Sequence, residues 1–287
     1  MIVAQSVSDL KREIARLRAS GQTIAFVPTM GNLHAGHARL METARTHADA
    51  VVASIYVNPL QFGPKEDFAA YPRTPEADHE LLTAAGVDLL FFPGDAAIYP
   101  RGREASTRIE VPDIGGILCG ASRPGHFVGV ATVVSRLFHL VTPDAALFGK
   151  KDYQQLLVIR LMAEDMGLPV EIVGVDTVRA PDGLALSSRN NYLSQDERRL
   201  APQLYACLQT LAGKIRNGDT NKLSQLEEEA VQTLAKSGFR PDYVSIRKQS
   251  DLGIPLPGER MLVILAAAWL GRTRLIDNLE VALNPAS

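Results

Sequence analysis

The chain has 287 residues, of which 46% are hydrophobic and 22% are charged, so it has the composition of an ordinary globular protein with enough apolar residues for a large core. Its formal net charge of −2 gives it no basic bias, which argues against nucleic acid as its main partner. The chain has two distant cysteines, Cys119 and Cys207, and its amino terminus shows no signal-peptide pattern. Its longest apolar run, residues 261–270, is too short to cross a bilayer. We therefore expect a cytoplasmic protein without a membrane partner.

The first 178 residues alternate between helical and strand patterns. Residues 8–19 repeat apolar side chains at helical spacing after Ser8, a candidate helix cap. Strands are predicted at 23–27, 51–57, 87–92, 107–111, 145–148 and 170–175, and further helices at 38–47, 75–85, 126–141 and 149–166. Such alternation with short connections predicts an α/β fold, a parallel sheet with helices on both faces.

The alternation ends after residue 178. Helices are predicted over 194–216 and 221–237, followed by strands at 243–247, 260–270 and 273–281. Helices followed by strands indicate a small α+β domain. We therefore expect two domains, residues 1–178 and residues 179–287.

Polar segments follow four of the predicted strands, at residues 29–37, 58–61, 149–152 and after 177. Because the carboxyl ends of parallel strands meet at one edge of a sheet, we expect these segments to form one site. The first segment places His34 and His37 on one face of a helix start, whose N–H groups suit an anion such as a phosphate. Taken alone, the histidine pair fits a role in helix capping or packing as well as it fits a role in a binding site.

The candidate residues supply cations, hydroxyls and amides but no evident nucleophile. The chain has neither a P-loop nor a dinucleotide-binding glycine motif, and no cysteine or third histidine completes a zinc set beside the histidine pair. The two lysines at 150 and 151 and the Ser-Ser-Arg sequence at 187–189 favour a polyphosphate ligand. This chemistry fits attack on a phosphate by a bound carboxylate, with the protein positioning the reactants and neutralising charge.

Residues 29–37 and 187–190 resemble the HIGH and KMSKS-type motifs of the nucleotidylyl-transferase superfamily. Within that superfamily the chain most resembles the pantothenate synthetase (pantoate–β-alanine ligase) family. Four further segments carry this resemblance: 56–62, 123–134, 148–155 and 186–190. The resemblance implies a Rossmann-like domain at 1–178 that binds ATP and pantoate, and a smaller lid domain at 179–287 that carries the KMSKS-like motif.

The resemblance also implies a reaction. ATP adenylates the carboxylate of (R)-pantoate and releases pyrophosphate, and the amine of β-alanine then attacks the pantoyl adenylate to give pantothenate and AMP. The implied cofactors are ATP as co-substrate and Mg²⁺, and the implied assembly is a homodimer.

Roles for individual residues follow from the same resemblance. His37 is the proton donor of the family pattern, and we expect it to act mostly by stabilising charge on the phosphates. The implied catalytic set is His34, His37, Lys151, Ser188 and Arg189. The implied ATP-binding set is Met30, Gly31, Asn32, Leu33, His34, Ala35, Gly36, His37, Gly149, Lys150, Lys151, Asp152, Val178, Leu186, Ser187, Ser188 and Arg189. The implied substrate-binding set is Gln61, Gln155, Asn58 and Arg123. Asp88 is the nearest match for a metal-site carboxylate.

Several interpretations stay open at this point. Leu186 stands where the family often has Met, a volume-conserving change that we expect to keep function. Lys150 or Lys151 could face the phosphates. His126 and His139, in or beside a long apolar helix, are interpreted as packing residues. Residues 63–75 form either a water-excluding lid or a plain surface loop.

Two functions of other classes are alternatives to the ligase. A nucleotidylyl transferase, whose product keeps the nucleotide, would share the HIGH-type motif but lack the pair Gln61 and Gln155. A nucleotide-binding regulatory module without turnover is disfavoured by the presence of His34, His37 and Lys151 together with Ser188.

Overall fold

The computed structural model describes residues 1–64, 66–218 and 222–283. The chain forms two compact units. The first unit comprises residues 1–150 and 155–176, and the second comprises residues 151–154 and 177–287. The assignment of residues 179–287 as a lid domain stays a prediction.

The first unit is built on a parallel sheet of six strands in the order β1-β4-β3-β2-β5-β6. Its strands are β1 (Ile2–Ala4), β2 (Ile24–Thr29), β3 (Ala50–Ile55), β4 (Leu89–Phe91), β5 (Ala145–Gly149) and β6 (Glu171–Val175). In the centre of the sheet, Ala25 of β2 pairs with Val51 of β3 on one side and with Ala145 of β5 on the other. The predicted parallel sheet is confirmed.

Helices cover both faces of this sheet. They are α1 (Val7–Ala19), α2 (Ala35–His47), α3 (Pro75–Ala84), α4 (Asp95–Ile98), α5 (Cys119–Ser122), α6 (His126–Val141) and α7 (Tyr153–Asp165). Successive residues of a strand point to opposite faces. Ala25 and Val27 therefore pack with Met41 of α2, whereas the Phe26 ring packs edge-on against Phe138 of α6, with ring centroids 6.4 Å apart.

One strand of the first unit was missed, and one strand prediction is wrong. The short edge strand β1 was not predicted, and it pairs with β4 through Ile2 and Leu89. Residues 107–111 were predicted as a strand, but they have no regular secondary structure. The backbone N–H of Ile109 donates to the Thr132 hydroxyl on α6, at 2.9 Å, instead of to a neighbouring strand.

The cap of α1 is Ser6, and the prediction of Ser8 is wrong. Ser6 has an extended backbone, and its hydroxyl oxygen accepts a hydrogen bond from the Asp9 N–H at 3.1 Å. Ser8 already lies inside the helix. We expect Ser6→Ala to lower the free energy of unfolding by about 1 kcal/mol, and Ser8→Ala to lower it by clearly less, both measured by urea titration. Equal losses for the two variants would contradict this cap assignment.

Among its described residues, the second unit holds three α-helices and an antiparallel sheet of three strands in the order β7-β8-β9. They are α8 (Gln195–Leu200), α9 (Gln203–Arg216), α10 (Leu223–Lys236), β7 (Arg240–Lys248), β8 (Met261–Leu270) and β9 (Thr273–Ala282). The predicted α+β character is confirmed. The single helix predicted over 194–216 is wrong, because Pro202 has no N–H to continue it. The predicted start of the next helix at residue 221 lies outside the described residues.

Candidate active site

A buried carboxylate holds the turn between β2 and α2. Gly31 and Asn32 both have positive φ angles, +81° and +50°, so the chain turns sharply after β2. The carboxylate of Asp78 on α3 is 2% exposed and accepts hydrogen bonds from the N–H groups of Asn32 at 2.9 Å and Leu33 at 2.7 Å. A Cβ at Gly31 would lie 2.9 Å from this carboxylate, so the turn requires glycine there.

Asp78 was not among the predicted site residues. Its partners are backbone groups about 45 positions away, and no local pattern marks such a contact. Thr74 also donates its hydroxyl to Asp78 at 3.1 Å, which orients the carboxylate toward the turn.

The backbone orients both histidines at the start of α2. His34 caps the helix, and its Nδ1 accepts a hydrogen bond from the Gly36 N–H at 3.1 Å. The Nδ1 of His37 accepts one from the His34 N–H at 3.2 Å, and the two ring centroids are 4.2 Å apart. A ring nitrogen that accepts carries no proton, so each neutral ring keeps its proton on Nε2. The capping interpretation of the pair is therefore confirmed, and its interpretation as an anion site stays a prediction.

A chain of buried amides lies where β3 ends. Gln61 is 8% exposed and Asn58 is 1% exposed. Asn58 Nδ2 donates to Gln61 Oε1 at 3.1 Å, and Gln61 Nε2 lies 2.9 Å from the sulfur of Met30 in the turn after β2. The predicted residues Met30, Asn58 and Gln61 are therefore neighbours.

Gly129 of α6 allows this close packing. A Cβ at Gly129 would lie 2.2 Å from the Leu60 carbonyl oxygen and 2.6 Å from the Gln61 nitrogen. Only glycine lets α6 approach the 3₁₀ turn Pro59–Gln61 so closely. The Gly129 carbonyl in turn accepts a hydrogen bond from Asn58 Nδ2 at 3.0 Å.

Arg123 reaches Gln61 through the backbone. Its guanidinium donates two hydrogen bonds of 2.6 Å to Glu66 and one of 3.3 Å to the Gln61 carbonyl. Burial raises the pKa of the Glu66 carboxyl, but the hydrogen bonds and charge of Arg123 outweigh burial, and the pKa ends below its usual value. His126 Nδ1 lies 2.8 Å from the same Gln61 carbonyl, and its ring packs edge-on against Phe127, so the interpretation of His126 as a packing residue stays a prediction. His139 is exposed.

The end of β5 supplies the lysine segment. Gly149 ends β5, and the ammonium group of Lys150 pairs with Asp176, just after β6, at 2.9 Å. Gln155 lies half-buried in the first turn of α7. Because β3, β2 and β5 are adjacent and parallel, their carboxyl ends bring the histidine pair, the Asn58–Gln61 pair and Gly149–Lys150 to one edge of the sheet.

Asp88 lies at the opposite edge of this sheet. It immediately precedes β4, and its carboxylate accepts hydrogen bonds from the Val51 N–H and from Arg45, both at 2.8 Å. The structure therefore does not bring Asp88 to the other candidate residues of the first unit. The described part of the chain contains no group of three or more His, Cys, Asp or Glu side chains that could hold a metal ion.

The remaining candidates belong to the second unit, where β9 anchors them. Ser187 caps the 3₁₀ helix Ser188–Tyr192, its hydroxyl accepting from the Arg189 N–H at 3.3 Å. The Leu186 N–H donates to the Val178 carbonyl at 2.9 Å, which joins both ends of the loop between them. Asn278 of β9 donates its side-chain amide to the Lys151 carbonyl at 2.9 Å.

A buried ion pair ties that loop to β9. Arg179 donates two hydrogen bonds to Asp277, at 2.6 and 2.8 Å, and its guanidinium lies 3.4 Å from the centroid of the Tyr205 ring. Asp277 is 4% exposed. Arg179 and Asp277 are 98 residues apart in the chain, so no local sequence pattern marks them as partners.

Breaking this pair is expected to destabilise the protein. Asp277→Ala leaves the Arg179 charge without its carboxylate, and we expect the free energy of unfolding to fall by about 3 kcal/mol. Glu229→Gln, which breaks the exposed pair of Glu229 with Lys214, serves as the control. It should change the free energy of unfolding by less than about 1 kcal/mol. Urea titrations of both variants measure this. Similar losses for the two would show that burial adds nothing to the Arg179–Asp277 pair.

No helix among the residues that the structure describes has the length and apolarity needed to span a membrane.

Comparison with known proteins places the whole chain in one family. Residues 2–280 match the sequence model of the family described as Pantoate-beta-alanine ligase. A pantothenate synthetase from Thioalkalivibrio sulfidiphilus is 56% identical over 269 residues, covering 94% of each chain. Another, from Pseudomonas paraeruginosa, is 56% identical over 284 residues, covering 99% of this chain and 100% of its own.

Two crystal structures of similar proteins have the same fold. Pantothenate synthetase from Thermus thermophilus superposes with a TM-score of 0.90 at 48% identity, covering 98% of this chain and 100% of its own. Pantoate-beta-alanine ligase from Francisella tularensis, described as complexed with beta-gamma ATP and beta-alanine, superposes with a TM-score of 0.79 at 35% identity, covering 97% of each chain. From the full-length match, the identity of its relatives and the shared fold, we conclude that this chain belongs to the pantoate–β-alanine ligase family.

Proposed function

We propose that this chain joins pantoate to β-alanine in an ATP-dependent reaction that passes through a pantoyl adenylate and releases AMP and pyrophosphate. Family membership supports the ligase activity and its substrates. The observation that carries the adenylate route is the orientation of His34 and His37, which presents two N–H donors beside a helix N-terminus. That arrangement suits the charge that develops on a departing pyrophosphate.

The first proposed step forms the adenylate. A carboxylate oxygen of pantoate attacks the α-phosphorus of ATP, and the bond from that phosphorus to the bridging β-phosphate oxygen breaks, so pyrophosphate leaves with the bonding electrons. Nε2–H groups of His34 and His37 donate hydrogen bonds to phosphate oxygens as their charge grows. Lys151, Ser188 and Arg189 are proposed to bind the same nucleotide, together with the rest of the ATP-binding set.

The second proposed step forms the amide. The amine of β-alanine attacks the acyl carbon of the adenylate, the bond from that carbon to the AMP oxygen breaks with its electrons leaving on AMP, and the nitrogen passes its proton to the departing AMP phosphate. No side chain needs to become covalently attached, so the protein acts by holding the reactants together and excluding water.

The amides at the end of β3 are proposed to hold pantoate. Gln61 and Gln155 can bind hydroxyl and carboxylate groups without adding charge, and Asn58 orients Gln61. Arg123 acts on this site through the Gln61 carbonyl, because Glu66 already engages its guanidinium. The acidic partner leaves Arg123 less able to attract a second carboxylate.

Magnesium enters this proposal with ATP. Mg²⁺ usually keeps several waters and takes one or two carboxylates together with substrate phosphates, and it would neutralise phosphate charge there. Asp88 does not suit this role, because its carboxylate binds Arg45 and the Val51 N–H at the other edge of the sheet.

A homodimer is also proposed, because the family resemblance implies it. A cytoplasmic location is proposed because Cys119 and Cys207 are far apart and form no disulfide framework. Sedimentation equilibrium at several protein concentrations tests the assembly. A single species with the mass of one chain at micromolar concentration would contradict the dimer.

The test of the proposed reaction is isotope exchange between labelled pyrophosphate and ATP with β-alanine left out. We expect exchange that requires pantoate. ADP and phosphate on full turnover without exchange would indicate an acyl phosphate and overturn the proposal. Absence of both exchange and turnover would favour a nucleotidylyl transferase or a nucleotide-binding module.

A further inference from the structure

A buried tyrosine hydroxyl lies behind the amides that are proposed to hold pantoate. Tyr99 follows α4 and is 3% exposed. Its hydroxyl donates a hydrogen bond of 2.7 Å to Asn58 Oδ1. Burial raises the pKa of the Tyr99 phenol well above its usual value, so the hydroxyl stays protonated and remains a donor at any physiological pH.

The contacts around Asn58 allow only one orientation of its amide. The oxygen accepts from Tyr99 and, at 3.3 Å, from the Leu60 N–H. The nitrogen donates to the Gly129 carbonyl at 3.0 Å and to Gln61 Oε1 at 3.1 Å. Reversing the amide would set its NH₂ group against the Leu60 N–H and its oxygen against two acceptor oxygens.

The orientation of Asn58 determines the orientation of Gln61. Because Asn58 donates to Gln61 Oε1, the NH₂ group of Gln61 is directed to the other side, where it lies 2.9 Å from the Met30 sulfur. A thioether is a weak acceptor, so a ligand oxygen can compete for this donor at little cost.

We propose that Tyr99 is a positioning residue for the hydroxy-acid substrate, acting through Asn58 to hold the Gln61 amide with its NH₂ group toward the ligand. This inference rests on the proposed function, because it takes Gln61 to bind pantoate. Tyr99 itself does not touch the substrate. Loss of its hydroxyl removes the shorter of the two hydrogen bonds to Asn58 Oδ1 and leaves only the 3.3 Å contact with the Leu60 N–H, so the amide chain is held less firmly and the ligand meets a less ordered Gln61.

Tyr99→Phe tests this inference, with Tyr56→Phe as the matched control. The Tyr56 hydroxyl donates to Asp95 at 3.0 Å, not to Asn58, and its ring centroid is 6.3 Å from that of Tyr99. We expect Tyr99→Phe to raise KM for pantoate about tenfold, with KM for ATP and the melting temperature little changed. Tyr56→Phe should leave KM for pantoate within about twofold of the unsubstituted protein.

A second variant separates positioning from general loosening of the fold. Asn58→Ala removes the amide through which Tyr99 acts, so it should raise KM for pantoate at least as much. Tyr99→Phe should then add less than about twofold in that background, because the two residues act in one chain. Additive effects, equal rises in KM for pantoate and ATP, or an unchanged KM in Tyr99→Phe would each overturn the inference. The unsubstituted protein, assayed first for pantoate-dependent exchange, reports separately on the proposed function.

Discussion

His37→Ala is expected to slow pantoate-dependent exchange of pyrophosphate into ATP by about 10²–10³-fold. The substitution removes one of the two imidazole N–H groups at the start of α2 and also the hydrogen bond from the His34 N–H to His37 Nδ1. His37→Ala is therefore expected to weaken both the stabilisation of phosphate charge and the orientation of His34. Exchange rates at saturating ATP and pantoate measure this effect.

His37→Gln separates the two roles of His37. A glutamine at this third helical position can accept from the His34 N–H, as in a capping box, and still offer an NH₂ donor. If His37 stabilises charge by hydrogen bonding, His37→Gln should recover at least about tenfold of the rate lost in His37→Ala. If His37 donates a proton, the two variants should be equally slow.

His47→Ala is the control for both His37 variants. His47 is the last residue of the same helix, so its substitution perturbs α2 without touching the start. Its exchange rate should stay within about twofold of the unsubstituted rate. A near-normal rate in His37→Ala would remove His37 from the catalytic set altogether.

Asp78→Ala is expected to weaken ATP binding more than any other change outside the predicted site residues. The buried carboxylate accepts from the Asn32 and Leu33 N–H groups, and its loss leaves both donors without their charged partner. Hydrogen bonds to a charged group contribute about 1.5–3 kcal/mol each. We therefore expect the turn to lose its single conformation and KM for ATP to rise by about 10²-fold.

A neighbouring acid provides the control for Asp78. Glu80 is exposed on the same helix, and Glu80→Ala should leave KM for ATP within about twofold. Asp78→Asn keeps one acceptor oxygen, so its KM for ATP should lie between the values for Asp78→Ala and Glu80→Ala. If Asp78→Ala raised KM for pantoate and not KM for ATP, the turn would not belong to the nucleotide site.

Much of the first unit could be predicted from local patterns. Near-continuous apolar runs such as residues 51–57 are typical of strands covered on both faces, and their alternation with helices led directly to the parallel sheet. The rule that ligands bind at the carboxyl ends of such strands then selected Met30, His34, Asn58 and Gln61 from sequence alone. The same rule argues against Asp88, since this residue stands at the amino end of its strand.

Tertiary structure decided what holds those residues in place. Asp78 and the turn at Asn32, Tyr99 and Asn58, and Arg179 and Asp277 are pairs far apart in the chain. A periodic pattern reports which face of an element is apolar, but it carries no information on which distant polar group will lie opposite. Residues 107–111 illustrate the same limit. Their sequence pattern is that of a strand, but the Ile109 N–H donates to a side chain of helix α6 and not to another strand. The sequence by itself therefore determined the fold class and the edge of the sheet where the candidate residues lie. Only the folded chain determined the hydrogen-bond partners that orient those residues, because buried polar groups are satisfied in three dimensions.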